Sequence, residues 1–407
     1  MGPGVPIGIQ PREPPQGRDC ISPQPTLATM KNSRTLASLA AAVLVAGACS
    51  DAPTSTAPAA EDADQQLRKQ VEALGFRGDM VEDFGDYVVV EGDIRLSKAQ
   101  LLTARQAPAG GAMGPRFQFS TTALVGSPKV HQIRVDVTGL AAEPDWQNAA
   151  RTAIGLWSQV PNSYIQIVEG SPADITFALG CLAWNWAAQA SWPAGGDPGP
   201  TITVNRDNCI GFGLNNQQRL QNMVHEIGHT LGFRHTNWSA LNEQNDPAHT
   251  QIGAVHIPGT PGTGGDPGSV MNGGMALNAW AGFSANDQLA ARTLYPLPVP
   301  SLAVAYVSGQ PYLTWPSIVG ATFVVHRKYS SQGQDEFGWF TGDGSAGTIS
   351  NVSSPFTDTG WTYTGNQTCY WDQGSGYWLE KGYWYTLEAQ FPTGSTFSYA
   401  NAEVGDC

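Results

Sequence analysis

His225-Glu226-Ile227-Gly228-His229-Thr230-Leu231-Gly232-Phe233-Arg234-His235 is the stretch that decides how this chain is read. His225 and His229 are four apart, so on a helix they stand one turn apart on the same face. Two imidazoles held that way match neighbouring corners of a tetrahedral Zn²⁺ site. Glu226 lies about 100° around the helix from His225. It is therefore close to the metal without being a ligand, where a general base for activated water is needed. Gly232 can take a positive φ, end the helix and turn the chain back. His235 then supplies a third ligand and leaves the fourth position for water.

Written as H-E-x-x-H-x-x-G-x-x-H, the string resembles the metzincin form of the zincin signature. Five fixed residue types at fixed offsets are far more specific than a bare H-E-x-x-H. Leu220, Met223, Val224, Ile227 and Leu231 recur at helical spacing, giving the helix a core face apart from its histidines. Downstream, Ser269-Val270-Met271-Asn272 resembles the Met-turn of metzincins, which puts Met271 beneath the metal. His131, His249, His256 and His326 are isolated and read as packed or surface histidines.

A chain of 407 residues suggests two or three domains. Only 14% of it is charged, while it holds 47 Gly and 29 Pro, a balance that favours turn-rich, β-containing exported domains. The net charge is −13, and residues 1–49 hold four basic and two acidic groups, so the body carries −15. With no basic run to offset it, that charge argues against a nucleic-acid partner.

The N-terminus reads as an export signal. Residues 1–29 lack periodicity and look like an upstream extension. Met30 opens a short positive segment, followed by 13 apolar residues from Leu36 to Ala48. That run is short for a bilayer span but suits a signal peptide. It ends Ala46-Gly47-Ala48-Cys49, which resembles a bacterial lipoprotein box, so Cys49 is the expected lipidation site within 30–49. Plain signal cleavage is the alternative. The protein is expected outside the bacterial cytoplasm, secreted or lipid-anchored to the envelope, with membrane attachment only through Cys49. Cys181, Cys209, Cys369 and Cys407 form an even set for an oxidising compartment. Cys181–Cys209 and Cys369–Cys407 is the expected pairing, because each bridge then stays inside one domain.

Behind the signal, residues 50–64 read as a flexible tether. Residues 65–115 read as a propeptide-like region and linker: a helix from Gln65 to Leu74, a β-rich run with a turn from Asp86 to Ile94, a helix from Ser97 to Thr103, then the Gly/Pro-rich stretch 106–115. Such a prodomain could block the fourth metal position with Asp, Glu or Cys. No residue of 65–105 marks itself for that role, and the segment has no Cys.

The catalytic domain is expected over 116–298. Its strands are expected at Val130–Val137, Tyr164–Val168, Ala173–Phe177 and Thr201–Asn205, the last being the candidate edge for pairing with an extended substrate. A helix begins at Pro144 and buries Trp146, Ala149, Ala150, Ala153, Leu156 and Trp157. From His235 to about 280 periodicity is lost, as in a functional loop. Asp246 and Asp266 lie there and are weak candidates for Ca²⁺. Ser284 caps a final helix with Asp287, and Leu289, Ala290, Thr293 and Leu294 are its expected buried face. Residues 301–407 are short strand-like runs between Gly/Ser/Asp turns, as in an all-β sandwich resembling fibronectin type III. Trp339, Trp361, Trp371 and Trp378 there suit either strand packing or a ligand patch.

The run His225–Thr236 resembles the dual-action HEIGH metallopeptidases, a bacterial metzincin family. Val71–Phe76, Val90-Glu91-Gly92-Asp93-Ile94 and Phe283–Pro296 look similar to the same family, so the resemblance spans about 65–298. It implies an α/β (α+β) zinc protease domain, His225, His229 and His235 as ligands of one Zn²⁺, Glu226 as base, Met271 as Met-turn and a protein or peptide substrate. Some metzincins carry a Tyr two residues after that Met; here the position is Gly273. The alternative function is a proteolytically inactive, zinc-containing surface adhesin or binding lipoprotein acting through the C-terminal β-module.

Overall fold

In the computed structural model, residues 63–103, 119–120, 123–238, 240–241, 243, 255–261, 266–308, 310–335, 338–359, 369–372 and 377–402 are described. Helix α1 (Ala63–Ala73) faces inward through Leu67 and Val71 and is ended by Gly75 at φ +83°. After β1 (Glu82–Asp83), strands β2 (Tyr87–Val90) and β3 (Ile94–Ser97) form an antiparallel hairpin. Its three-residue turn places Glu91 at φ +55° and Gly92 at φ +91°, so a non-glycine residue sits in the left-handed region. Helix α2 (Lys98–Thr103) follows. Val71, Phe76, Val88, Val90, Ile94, Leu96 and Leu101 close a small core, and Trp192 enters it from the region downstream.

The next strands are β4 (Phe119–Ser120) and β5 (Ile133–Gly139). β5 starts three residues later than its alternation suggests, because Lys129–His131 is a 3₁₀ turn. Helix α3 (Pro144–Trp157) carries Pro at its first turn and buries the expected tryptophans and alanines together with Ile154; Leu156 is only partly buried. Then come β6 (Ile167–Glu169), β7 (Ile175–Gly180), β8 (Ala188–Ser191) and β9 (Thr201–Asn205). Helix α4 (Asn216–Thr230) carries the histidine motif, β10 (Phe233–Arg234) and β11 (Val255–His256) flank β4, and α5 (Ala285–Leu294) closes the region.

Eight strands share one mixed sheet in the order β1-β2-β3-β8-β9-β7-β5-β6. β5, β6, β7 and β9 run parallel, β8 is antiparallel to β9, and β3 is parallel to β8. The N-terminal hairpin therefore extends the same sheet. This order corrects the expected substrate edge: Thr201–Asn205 lies between β7 and β8 and has both edges paired.

Helices α3 and α4 pack together, tied by Trp157 Nε1–H donating to the Val224 carbonyl at 2.8 Å. The buried face of α5 is Asp287, Ala290 and Ala291, rather than Leu289 and Thr293.

Among the described residues, the regular elements of the C-terminal region are all strands. β12 (Ala303–Val307), β13 (Gln310–Thr314) and β16 (Phe356–Thr357) form one antiparallel sheet. β14 (Thr322–Asp335), β15 (Gly338–Ser350), β17 (Cys369–Asp372), β18 (Tyr377–Phe391) and β19 (Gly394–Ala402) form the other. Leu313, Val325 and Leu387 belong to the same core as Trp146 and Ile227. Tyr164 Oη and Thr393 Oγ1 donate across the junction to the carbonyls of Val319 and Ser163. The bridge Cys181–Cys209 forms as expected. Cys49, Cys407, the signal segment, the 106–115 linker, Asp246, His249 and the side chains of Cys369, Trp339, Trp361, Trp371 and Trp378 lie outside the described residues.

Candidate metal centre

Helix α4 begins with a reciprocal cap. Asn215 Oδ1 accepts from the Gln218 N–H at 3.0 Å, and Gln218 Oε1 accepts from the Asn215 N–H at 2.8 Å. It ends at Gly232 with φ +96°, where a Cβ would lie 2.7 Å from the Ala123 carbonyl oxygen. Only glycine meets both demands, and the turn it permits returns His235 to the helix face. Tyr295 closes this end by donating its hydroxyl to the Leu231 carbonyl.

The structure brings His225, His229 and His235 together. Each ring has its Nδ1 committed to an acceptor: His225 to the Val270 carbonyl at 2.8 Å, His229 to the Phe233 carbonyl at 2.7 Å, and His235 to Glu243 Oε1 at 2.8 Å. A carbonyl or carboxylate oxygen can only accept, so each Nδ1 carries the proton. With Nδ1 so occupied, each ring leaves Nε2 as the atom it would offer a metal, and the three Nε2 atoms converge. His225 and His229 Nε2 are 2.9 Å apart. Bonds of about 2.1 Å to a tetrahedral zinc set an edge of roughly 3.4 Å, so modest adjustment accommodates the ion. Three convergent imidazole lone pairs with their other nitrogens fixed by hydrogen bonds are the donor set zinc prefers, and the residues fit it.

Around the three histidines the loop is fixed from α5. Asp287 accepts from Ser269 Oγ at 2.7 Å, the Val270 N–H at 3.0 Å and the Ser284 N–H at 2.9 Å. The cap expected from sequence thus also aims the Val270 carbonyl at His225. Met271 is buried beneath α4: a Cβ on Gly228 would meet its sulfur at 2.4 Å. At Gly273 a Cβ would lie 2.7 Å from the His235 ring and 2.6 Å from Leu241, so no tyrosine fits where some metzincins have one.

Two carboxylates that the sequence did not single out join the site. Glu243 holds His235, as above, and is itself buried. Asp93, at the end of the β2–β3 turn, points its carboxylate at the three rings: 3.1 Å to His235 Nε2 and 3.5 Å to the Nε2 atoms of both His225 and His229. Among the described residues, Asp93, His225, His229 and His235 form one group able to hold a metal ion, and Glu91, His235 and Glu243 another. Asp266 is occupied otherwise, accepting from Ser284 Oγ and Asn286 Nδ2. His131, His256 and His326 lie outside these groups, with Tyr164, Thr260 and Glu388 as partners.

The electrostatics follow from burial. Burial pushes the Glu226 carboxyl well above its ordinary value, with Asp93 adding to the effect. Burial draws the His229 imidazole down to about 4, against the pull of Asp93. Burial works the same way on His235, but the charges of Asp93 and Glu243 outweigh it and hold that ring well above 6.5. Glu226 is 2% exposed, and its Oε2 has no hydrogen-bond partner among the described residues. It lines a cleft of ≈ 460 Å³ together with Asp93, His225, Trp186 and Met275. A buried carboxyl that is raised above its ordinary value and lines a cleft is suited to exchange protons there.

Residues 88–295, more than half of the chain, match the sequence model of a dual-action HEIGH metallo-peptidase family. Comparison with curated proteins gives no match.

Proposed function

We propose that this chain, which belongs to the dual-action HEIGH metallopeptidase family, is a zinc endopeptidase of metzincin type that hydrolyses peptide bonds in protein substrates. The observation that carries this is the convergence of three Nε2 atoms beside the buried Glu226 carboxylate, whose Oε2 has no hydrogen-bond partner among the described residues, at a cleft lined by Glu226 and His225. Zinc, when bound, supplies Lewis-acid chemistry, acidifying water and polarising a carbonyl. His225, His229 and His235 would hold it through Nε2. Glu226 would take the proton of the attacking water on its carboxylate and pass it to the leaving amine. The Nδ1 partners keep the three rings in the metal-binding tautomer.

The bridge Cys181–Cys209 supports export to an oxidising compartment. The apolar run Leu36–Ala48 and Cys49 make a lipid anchor the preferred form of that export. The C-terminal strands serve as an accessory module of fibronectin type III character.

The test is zinc content by mass spectrometry and casein hydrolysis by the purified full chain, before and after limited proteolysis, beside Glu226→Gln. About one zinc per chain, chelator-sensitive hydrolysis, and a variant that keeps zinc but loses at least 10²-fold in rate is the expected result. Zinc without hydrolysis under either condition would move the assignment to a binding protein.

A further inference from the structure

Asp93 approaches all three metal-binding nitrogens, yet it is not on the helix that carries the motif or on the loop beneath it. It arrives from the N-terminal hairpin, and the same hairpin takes a second position. β8 borders the cleft through Ala188 and is the last strand that the region after residue 123 adds on this side of the sheet. An extended peptide entering the cleft would find its backbone partners on the outer edge of β8. That edge is already paired: Ile94 lies against Ala190 and Arg95 against Ser191, with the Ala190 N–H donating to the Asp93 carbonyl at 2.9 Å and the Trp192 N–H to the Arg95 carbonyl at 3.0 Å. One residue thus places its side chain on the metal site and its backbone on the substrate's strand edge.

The hairpin is held there by buried contacts. The Arg234 guanidinium, one residue before His235, pairs with Glu91 and donates to the Gly75 carbonyl at 2.6 Å. It also lies 4.3 Å above the Phe76 ring. Phe76 packs edge-on against Trp192 at 5.3 Å. Gln100 Nε2 donates to the Trp192 carbonyl at 3.2 Å. Glu91 accepts the left-handed conformation at φ +55° while making this pair.

We propose that Asp93 is a fourth protein ligand of the metal and that the hairpin carrying it makes the folded chain a latent form of the enzyme. A catalytic zinc site keeps one position open, whereas four protein ligands close it. Release of the hairpin frees the fourth position and the β8 edge together. This inference rests on the zinc reading above and adds to it how the site is regulated.

The experiment loads the full chain, Asp93→Ala and Asp93→Asn with Co²⁺ and records the visible absorption spectrum. Acetohydroxamate, a small bidentate metal ligand, is then titrated into each, and casein hydrolysis is followed on the zinc forms. The expected result is one metal per chain in all three proteins and a changed cobalt spectrum in both variants. Acetohydroxamate should bind at least tenfold more tightly to both variants than to the parent, whereas casein hydrolysis should stay low in all three while β3 remains paired with β8. Asp93→Asn preserves the shape of the turn, so it keeps the comparison valid if Asp93→Ala loses the fold. Metal bound with the same spectrum and the same hydroxamate affinity in parent and variants would overturn Asp93 as a ligand while leaving the zinc reading intact. Absence of metal from the parent and from both variants would overturn both.

Discussion

The buried pair Glu91–Arg234 offers a quantitative check on how the hairpin is held. Both side chains are 3% exposed. Replacing Arg234 by Leu leaves the Glu91 carboxylate in a dry site without its partner, and also frees the Gly75 carbonyl. Stranding one member of a buried ion pair costs about 3–5 kcal/mol, most of it desolvation that is no longer compensated. Glu91→Leu strands the guanidinium and should cost a similar amount, less whatever the Gly75 carbonyl and the Phe76 ring retain. The double variant removes both charges. It should fall within about 2 kcal/mol of the parent, because an apolar pair of similar volume often replaces a buried ion pair at little cost, and one unsatisfied carbonyl remains. The assay is hydrogen exchange at the β2–β3 amides, which reports the free energy of local opening. At 1.4 kcal/mol per decade, each single variant should speed exchange there by about two to three and a half decades. The parallel strands β5–β7 should be much less affected. If Arg234→Leu costs under about 1 kcal/mol, or the double variant is worse than either single, then the pair does not hold the hairpin and this reasoning fails.

Other perturbations follow from the same geometry. Glu243→Ala removes the acceptor that fixes the His235 ring and should weaken zinc affinity about 10–100-fold, measured by competition with a chromophoric chelator. Gly232→Ala must place a Cβ at φ +96° and 2.7 Å from a carbonyl oxygen, so a loss of about 2–4 kcal/mol in chemical denaturation with reduced zinc content is expected. Glu388 is held below its ordinary value of 4.5 by its hydrogen bond with His326. A carboxyl depressed on folding stabilises fully above its unfolded value and loses that contribution as pH falls through the folded value. Glu388→Gln should therefore flatten the decline of stability below about pH 4.5 in acid titration, and an unchanged slope would remove this pair from the account.

What the sequence made legible is what local spacing controls. The interval of four between His225 and His229, the glycine that must turn left-handed at 232, the cap at Ser284 and the first-turn proline Pro144 are set within a few residues of themselves, and each stands where its spacing put it. β8 was not legible. Ala188-Gln-Ala-Ser has no β-branched or aromatic residue, and it is a strand because β9 and β3 pair with it from both sides. Missing β8 made Thr201–Asn205 look like an edge when it is interior.

Asp93 was hidden for the same reason. A Gly-Asp pair in a hairpin turn is ordinary turn chemistry. Nothing local distinguishes this carboxylate from Asp83, which accepts from the Gly85 N–H in an exposed turn. Its place among the histidines depends on β3 pairing with β8 nearly a hundred residues downstream, and on Glu91 finding Arg234 at a separation of 143. The motif therefore identifies the chemistry that the site can perform, while long-range strand pairing decides whether its fourth position is free. Asp93 brings the two together, because the carboxylate that meets the three histidines and the backbone that caps the β8 edge belong to one residue. Withdrawal of the hairpin from β8 therefore releases the site and its strand edge together.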